Sequence, residues 1–165
     1  MINFKDYIDD IPNWPKQGIT FRDIQPLLKN QYVFKEAIKR MGNMVQTPDY
    51  WVAIESRGFL FASALSYKFG GGIRLARKPA KLPNFELRSE FYQLEYGSDS
   101  LEMAYYGGEG GTCVIVDDVL ATGGTLKATE KLCRKVGLQV IDKLCLMDIG
   151  ISNMNDVKTL IQYEK

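Results

Sequence analysis

The sequence predicts an α/β fold in which helices cover both faces of a central, mainly parallel sheet. Short apolar runs that are typical of buried strands alternate along the chain with segments of helical periodicity. The strand segments are apolar throughout, and strands of this kind are buried on both faces by crossover helices. With 165 residues, 45% of them hydrophobic and 25% charged, the chain is expected to form one globular domain over 1–165.

Each element has its own signal in the sequence. Residues 3–9 fit a short amphipathic helix that Pro12 ends, and apolar residues at helical spacing predict a second helix within 31–46. The remaining elements are predicted in this order: strand 51–54, helix 59–69, strand 73–76, strand 112–116, helix 126–136, strand 138–147 and a strand-like run at 160–163.

Two segments lack a clear period. Residues 11–28 combine many turn formers with Trp14, Phe21 and Leu27, which indicates an ordered but irregular segment. Residues 77–100 combine basic residues and prolines with little regular pattern. Because irregular stretches of this length are usually functional or mobile, a long flexible loop is expected there.

Charge and composition exclude several classes of protein. Lys and Arg total 21 and Asp and Glu total 20, so a nucleic-acid partner and a polybasic membrane contact are not expected. The absence of histidine excludes Ser-His-Asp triads and histidine metal sites. No signal peptide and no apolar run of about 18 residues is found, so a cytoplasmic protein without a membrane anchor is expected.

The three cysteines, Cys113, Cys133 and Cys145, have no CxxC spacing. Two of them lie in apolar runs that are typical of buried strands. They are therefore interpreted as core residues in a reducing compartment and not as metal or redox groups.

The segment from Val114 to Thr125 carries the strongest chemical signal. A buried strand runs into Asp117 and Asp118, and a loop of small and hydroxyl residues then leads into a helix. Ligands of open α/β sheets bind beyond the carboxyl ends of the strands. Since N–H groups at a helix N-terminus favour an anion, the loop at 121–125 is expected to bind a phosphate. The carboxylates can accept hydrogen bonds from ribose hydroxyls; the alternative is a capped turn with solvated carboxylates.

Other phosphate motifs are excluded. The chain has no GxxxxGK[ST] run, so it is not a P-loop hydrolase. The glycines within 107–111 precede a strand, whereas those of a dinucleotide-binding fingerprint follow one.

The segment from Val114 to Thr125 resembles the signature for phosphoribosyl pyrophosphate (PRPP) of the type I phosphoribosyltransferases. Further segments narrow the resemblance to the adenine phosphoribosyltransferases. They are, in chain order, residues 11–28, Glu55-Ser56-Arg57-Gly58-Phe59, Arg77-Lys78 with Lys81-Leu82-Pro83, and Leu94-Glu95-Tyr96-Gly97 with Leu101-Glu102. The resemblance covers nearly the whole chain.

The resemblance implies the type I phosphoribosyltransferase fold, with a base-binding hood at about residues 1–30 and a flexible catalytic loop. It implies transfer of the phosphoribosyl group of PRPP to adenine, giving AMP and pyrophosphate, as in purine salvage. It also implies Mg²⁺ as the cofactor, held mainly by PRPP and water and with no dedicated protein ligands. A homodimer is implied because, in the family, part of the basic segment reaches the neighbouring subunit.

The resemblance also assigns roles to residues. It assigns the ribose and 5-phosphate of PRPP to Asp117, Asp118, Ala121, Thr122, Gly123, Gly124 and Thr125. It assigns pyrophosphate to Ser56, Arg57, Arg77, Lys78 and Lys81. It assigns adenine to Phe21, to backbone groups around Thr20 and Arg22, and to Ile149 on the opposite face of the base. Glu95 is the candidate proton acceptor or charge stabiliser, and Tyr96 would pack over the substrates.

Two alternatives stay open. A phosphoribosyltransferase for hypoxanthine or guanine would share the PRPP half of the site, although the N-terminal match over 11–28 favours adenine. A regulator that senses PRPP without catalysis would keep the signature over 117–125 but can lose the catalytic loop, and such proteins generally also carry a separate DNA-binding domain. The presence of Arg57, Glu95 and Tyr96 in a near-neutral chain argues against it.

Overall fold

The computed structural model describes residues 2–83, 86–94, 97–108 and 110–164. A short 3₁₀ helix at Phe4–Tyr7 stands where the sequence predicts a helix over 3–9. The elements that follow are β1 (Asp9–Pro12), β2 (Thr20–Asp23), α1 (Gln25–Lys29), α2 (Gln31–Gly42), β3 (Tyr50–Ile54), α3 (Gly58–Phe69), β4 (Gly72–Ala76), β5 (Leu87–Leu94), β6 (Gly97–Ala104), β7 (Thr112–Leu120), α4 (Gly124–Lys135), β8 (Gln139–Asp148) and β9 (Lys158–Gln162).

Five of these strands form the central sheet, in the spatial order β4-β3-β7-β8-β9. Every neighbouring pair in it is parallel, as the sequence predicts. The carboxyl ends of the strands therefore meet at one edge of the sheet, where ligands of such folds bind.

The two faces of the sheet pack into separate hydrophobic clusters. Along β3, Trp51 and Ala53 contribute to the cluster that contains buried residues of α2 and α3. Val52 and Ile54 contribute to the cluster that contains buried residues of α4. Because successive side chains of a strand point to opposite faces, a strand with both faces buried must be apolar throughout. The prediction of helices on both faces is thus confirmed.

Helix α2 is bounded by two local features. The Asn30 side chain accepts hydrogen bonds from the N–H groups of Tyr32 and Val33 at 3.1 and 3.2 Å, which caps its first turn. The helix ends at Gly42, earlier than the predicted limit of residue 46. A β-carbon at Gly42 would collide with the ring of Phe69, so the chain needs a glycine where α2 crosses the end of α3.

Two antiparallel hairpins flank the central sheet. β1 pairs with β2 within the segment that the sequence marks as irregular but ordered. β5 pairs with β6, although little regular structure is predicted for 77–100. Leu101 and Met103 on β6 are buried in the same cluster as α4, so tertiary packing stabilises strands that the local sequence does not reveal.

The three cysteines are free and buried, as their interpretation as core residues predicts. Within the described ranges, no helix is both long enough and apolar enough to cross a membrane.

Candidate active site

The carboxylate pair lies near the end of the central strand of the sheet. β7 extends to Leu120, beyond the predicted limit of residue 116, so Asp117 and Asp118 are strand residues on opposite faces. The Asp118 N–H donates to Asp117 Oδ1 at 2.9 Å. Gly58, the first residue of α3, packs against this strand. A β-carbon there would lie 2.6 Å from the Val116 carbonyl oxygen.

Burial disfavours the charged form of both carboxyl groups. Burial and then the neighbouring charge of Asp118 raise the pKa of Asp117 well above its ordinary value. Burial also raises the pKa of Asp118, although the Arg57 guanidinium opposes this shift. Two adjacent carboxylates with raised pKa values are typical of a functional site, since a packed core has no need for them.

Arg57 connects the carboxylate pair to the N-terminal hairpin. Its Nε lies 2.8 Å from Asp118 Oδ2, and the Asp118 side chain is only 7% exposed. This contact is an ion pair without hydrogen-bond geometry, and within the described part of the chain no other group donates to this oxygen. The Arg57 guanidinium also lies 5.1 Å from the centre of the Phe21 ring. The structure thus places this predicted pyrophosphate ligand between the carboxylate pair and β2.

The loop after β7 has the form of an anion site. α4 begins at Gly124, and Gly123 before it has a left-handed φ of 84°, which favours glycine. The first turn of α4 carries no acidic residue to compete with a bound anion. The Thr122 hydroxyl faces the Gly124 N–H at 3.5 Å. A β-carbon at Gly123 would collide with the sulfur of Met154, so the loop is held from behind by the β8–β9 connection.

Glu55 organises the predicted pyrophosphate segments. Its carboxylate accepts a hydrogen bond from the Lys78 N–H at 2.8 Å and pairs with Arg77 Nε at 3.3 Å. Burial raises the pKa of Glu55, but these two interactions outweigh burial and the pKa lies below its ordinary value. Arg77 also donates to the Lys81 carbonyl at 2.9 Å. Because Ser56 directly follows Glu55, the structure brings the basic segment beside the loop that contains Ser56.

The β5–β6 hairpin reaches the same region through residues that the sequence analysis missed. The Tyr92 hydroxyl donates to Asp99 Oδ2 at 3.2 Å, and Asp99 pairs with Lys78 Nζ at 2.9 Å. Burial and the Asp99 charge raise the pKa of Tyr92 to about 12, and the same hydroxyl interacts with Thr125. Tyr92 therefore remains a hydrogen-bond donor next to the loop after β7.

The N-terminal hairpin faces the site through β2. The Phe21 ring packs edge to face on Trp14 with 4.5 Å between ring centres. Both rings line a cavity of about 500 Å³ that also contacts Arg57. Thr20 is exposed, so its backbone lies at the surface of the hairpin.

Tyr163 links Arg22 on β2 to the segment that contains Ile149. The Arg22 guanidinium pairs with Asp10 and lies 4.1 Å from the centre of the Tyr163 ring. The Tyr163 N–H donates to the carbonyl of Asp148, the residue before Ile149. Ile149 itself donates its N–H to the Leu120 carbonyl at 3.2 Å. Within the described residues, Ile149 does not line the cavity beside Phe21.

The predicted site also includes two loop residues, Glu95 and Tyr96, and a magnesium ion. Glu95 and Tyr96 lie outside the described residues. No group of three or more His, Cys, Asp or Glu side chains in the described ranges is arranged to hold a metal ion. Asp117 and Asp118 supply only carboxylate oxygens, a donor type that suits Mg²⁺ when the substrate and water complete its coordination.

Among the site residues that the sequence did not predict, Glu55 has a sequence signal that can be recognised once the fold is known. Glu55 follows a buried strand, and a carboxylate at that position of a parallel sheet is a candidate site residue. Tyr92 and Asp99 are different, because neither gives a local signal and only the pairing of β5 with β6 brings them together.

Comparison with known proteins shows the family to which the chain belongs. A family model described as the phosphoribosyl transferase domain matches residues 24–164. The adenine phosphoribosyltransferase of Thermotoga maritima is 46% identical over 171 residues, covering 98% of both chains. The crystal structure of adenine phosphoribosyltransferase from Thermoanaerobacter pseudethanolicus is 38% identical with a TM-score of 0.85, covering 97% of this chain and 98% of that one.

A third relative has bound ligands. The Saccharomyces cerevisiae adenine phosphoribosyltransferase, solved in complex with adenine and an imino-altritol bisphosphate, is 33% identical with a TM-score of 0.79. The match covers 88% of this chain and 86% of the yeast chain.

Proposed function

The chain belongs to the adenine phosphoribosyltransferase family and transfers the phosphoribosyl group of PRPP to adenine, and we propose how its residues divide this work. The products are AMP and pyrophosphate. One observation carries the division of roles: a carboxylate pair, with Asp118 buried and Asp117 partly buried, lies beside a helix N-terminus at the carboxyl end of β7.

The loop after β7 binds the 5-phosphate of PRPP. Consecutive N–H groups at the start of α4 and the helix dipole both favour the phosphate. The loop residues are Ala121, Thr122, Gly123, Gly124 and Thr125. Asp117 and Asp118 accept hydrogen bonds from the ribose hydroxyls, and their negative charge stabilises the cation-like sugar of the transition state.

Pyrophosphate binds between the loop that contains Ser56 and Arg57 and the basic segment at 77–81, which Glu55 brings together. Its proposed ligands are Ser56, Arg57, Arg77, Lys78 and Lys81. Arginine suits this anion because its guanidinium presents a planar fork of N–H donors. Arg57 and Lys78 are held by Asp118 and Asp99 in this structure, so pyrophosphate competes with these carboxylates for the two cations.

Adenine binds against β2. Backbone groups around Thr20 and Arg22 hydrogen-bond the edge of the base, Phe21 packs on one face and Ile149 on the other. Support comes from the Arg22–Tyr163 contact, which brings β2 to the segment that carries Ile149. A backbone edge can separate a 6-amino from a 6-oxo purine, because a mismatched base leaves buried polar groups unpaired.

Glu95 acts on adenine during the transfer. In a chain without histidine, a carboxylate is the natural acceptor of the proton that the purine loses as its nitrogen attacks C1 of the ribose. The same negative charge stabilises a protonated purine if the proton stays in place. Tyr96 packs over the bound substrates and helps to exclude water.

Mg²⁺ is the proposed cofactor, and the residues present fit it. Asp117 and Asp118 would contribute through the ribose hydroxyls they hold, with PRPP and water as the main ligands. When bound, Mg²⁺ neutralises charge on the departing pyrophosphate. Asp118 Oδ2 is paired with Arg57 in this structure, so support for Mg²⁺ comes from the oxygen-donor chemistry of the carboxylate pair.

The proposed assembly is a homodimer of one-domain chains, with residues 1–30 as the hood over the base. Exposed apolar side chains on β4 and α3, including Ile73, Leu75 and Leu60, support an interface on that side of the molecule. The proposed location is the cytoplasm, which suits three unpaired cysteines. A nucleic-acid or membrane partner is not proposed.

Base selectivity tests the proposed function. The protein is incubated with PRPP and Mg²⁺ and offered adenine, hypoxanthine or guanine separately, while nucleotide formation is followed. AMP from adenine alone is the expected result. Product from a 6-oxo purine would overturn the base assignment and leave the PRPP assignment intact. PRPP binding without any product would favour the regulator alternative.

A further inference from the structure

Lys143 is a buried lysine outside the site described above. It lies in the middle of β8 and is 6% exposed. Its Nζ lies 3.0 Å from Glu130 Oε2 and 2.5 Å from Asp156 Oδ2. Burial lowers the pKa of Lys143, but the hydrogen bonds with the two carboxylates outweigh burial and raise it. The ammonium group therefore stays charged at neutral pH.

The two carboxylates belong to the two elements that shape the loop at 121–125. Glu130 lies on α4, whose first residue is Gly124. Asp156 lies in the β8–β9 connection, whose Met154 fills the space beside Gly123. Within that connection, the Met154 N–H donates to the buried Ser152 hydroxyl at 3.0 Å. One ammonium group thus ties the middle of α4 to the segment that packs behind the loop.

Stability alone does not explain this arrangement. A buried ion pair is often no more stabilising than apolar residues of the same volume, because desolvation offsets the attraction. The face of β8 that carries Lys143 also carries Cys145, which packs in the apolar cluster of α4. Lys143 itself lines a polar cavity of about 400 Å³ together with Asp142, Asn155 and Lys158. A neutral side chain there would leave Glu130 and Asp156 without their shared cation, whereas the ammonium group binds both carboxylates at once.

We propose that Lys143 is a positioning residue for the 5-phosphate loop: by joining α4 to the β8–β9 connection, it holds Met154 against Gly123. The loop N–H groups then keep one orientation before the phosphate arrives, which lowers the cost of binding. This inference rests on the proposed assignment of residues 121–125 to the 5-phosphate.

The test separates the two ends of PRPP. Dissociation constants for ribose 5-phosphate and for pyrophosphate are measured by calorimetry on Lys143→Met. We expect the ribose 5-phosphate constant to rise about tenfold through misplacement of the loop, and the pyrophosphate constant to change less than about twofold. Lys143→Arg, which keeps the cation, is expected to restore most of the affinity.

Lys158→Met is the matched control. Lys158 lines the same cavity of about 400 Å³ as Lys143 does. Its ammonium group contacts Asp142 and the Met44 carbonyl. We expect this variant to bind both ligands as the wild type does. If Lys143→Met fails to fold, Asp156→Asn serves instead, because its side chain is 65% exposed. It is expected to weaken ribose 5-phosphate binding alone.

Unchanged ribose 5-phosphate affinity in folded Lys143→Met, or in Asp156→Asn if that variant replaces it, overturns the inference. Equal losses for both ligands also overturn it, since they indicate a general loss of structure. The variant Gly124→Val distinguishes failure of the inference about Lys143 from failure of the proposed 5-phosphate site. If Gly124→Val binds ribose 5-phosphate normally, the loop assignment is wrong. If it loses binding while Lys143→Met does not, only the role of Lys143 is wrong.

Discussion

The loop after β7 and the β5–β6 hairpin both reach the candidate site, but different interactions hold them. The loop sits between the central strand and α4 in one continuous segment, 112–135, with Met154 packed behind it. The hairpin packs Leu101 and Met103 of β6 into the apolar cluster of α4, and ion pairs add to this packing. Lys78 binds Asp99, and Lys135 binds Glu90 at 2.6 Å.

This difference indicates separate tasks. A loop fixed by a buried strand and a helix start is preorganised, which suits tight binding of a phosphate. Exposed ion pairs are each worth little, so the end of the hairpin that carries Asp99, beyond buried Leu101 and Met103, can rearrange at small cost when substrates bind. We therefore expect changes near β7 to act on PRPP affinity and changes in the hairpin segment to act on turnover.

The largest effect is expected at Glu95. Glu95→Ala removes the group that manages charge on the attacking purine, so kcat should fall by about 10²–10⁴ while PRPP affinity stays within about twofold. Initial rates and calorimetry on one preparation measure both. Glu86→Ala is the control, because this exposed carboxylate of the same segment pairs only with Arg88 among the ion pairs of the described residues. Turnover like that of the wild type in Glu95→Ala would remove Glu95 from the mechanism.

Gly124→Val should give the next largest effect. A branched side chain at the first residue of α4 covers the N–H groups that receive the phosphate, so the PRPP dissociation constant should rise about 10- to 100-fold, or about 1.4–2.7 kcal/mol. Lys127→Val places the same side chain at an exposed position one turn along α4 and should bind PRPP normally. A folded Gly124→Val with unchanged affinity would contradict the phosphate assignment.

Asp117→Asn should stabilise the protein while it impairs activity. The folded-state pKa of Asp117 lies above that of the unfolded chain, so the cost of placing this carboxyl in the folded chain grows as the pH rises from the unfolded pKa to the raised one and is constant above it. Asparagine keeps the oxygen that accepts the Asp118 N–H, so we expect a gain of about 1–2 kcal/mol at pH 8.

The direction in which the stability gain of Asp117→Asn changes with pH tests whether the raised pKa of Asp117 causes it. As the pH falls through the raised pKa, the wild-type carboxyl takes up a proton and becomes neutral, so the stability difference between wild type and Asp117→Asn should shrink. Thermal unfolding from pH 8 to pH 5 measures this difference. A gain that grows as the pH falls would contradict the assigned pKa shift.

Asp99→Asn should have the smallest effect. It removes the ion pair with Lys78, whose side chain is 53% exposed, so the free energy of unfolding should fall by less than about 1 kcal/mol. The loss should diminish in high salt, because exposed charges are screened. Urea unfolding of Asp99→Asn, Lys78→Met and the double variant isolates the pair. A coupling above about 2 kcal/mol would show that the hairpin is fixed as firmly as the loop.

The same two regions mark how far the sequence could predict the structure. The β7–α4 segment was predictable because an apolar run, two carboxylates and a glycine loop are adjacent in the chain. The parallel pairing of β7 with β8 agrees with the mainly parallel sheet that the sequence predicts. Local order of this kind needs no knowledge of distant residues.

The features that the sequence did not predict depend on contacts between residues far apart in the chain. β5 and β6 were missed because buried Leu101 and Met103 depend on α4 for their packing. The Arg57–Asp118 pair joins residues 61 positions apart, and no local pattern announces that Arg57 would bind a carboxylate in the free protein. The Tyr163 contact that brings Arg22 towards Ile149 also depends on the completed sheet.

A crystal structure with AMP tests the central claim most directly, because one ligand reports on the phosphate loop and on the base site. We expect the phosphate oxygens to accept hydrogen bonds from N–H groups within 122–125, with the ribose hydroxyls at Asp117 and Asp118 and the adenine against β2 beside Phe21. A phosphate bound away from that loop, or an adenine bound away from β2, would contradict the proposed site.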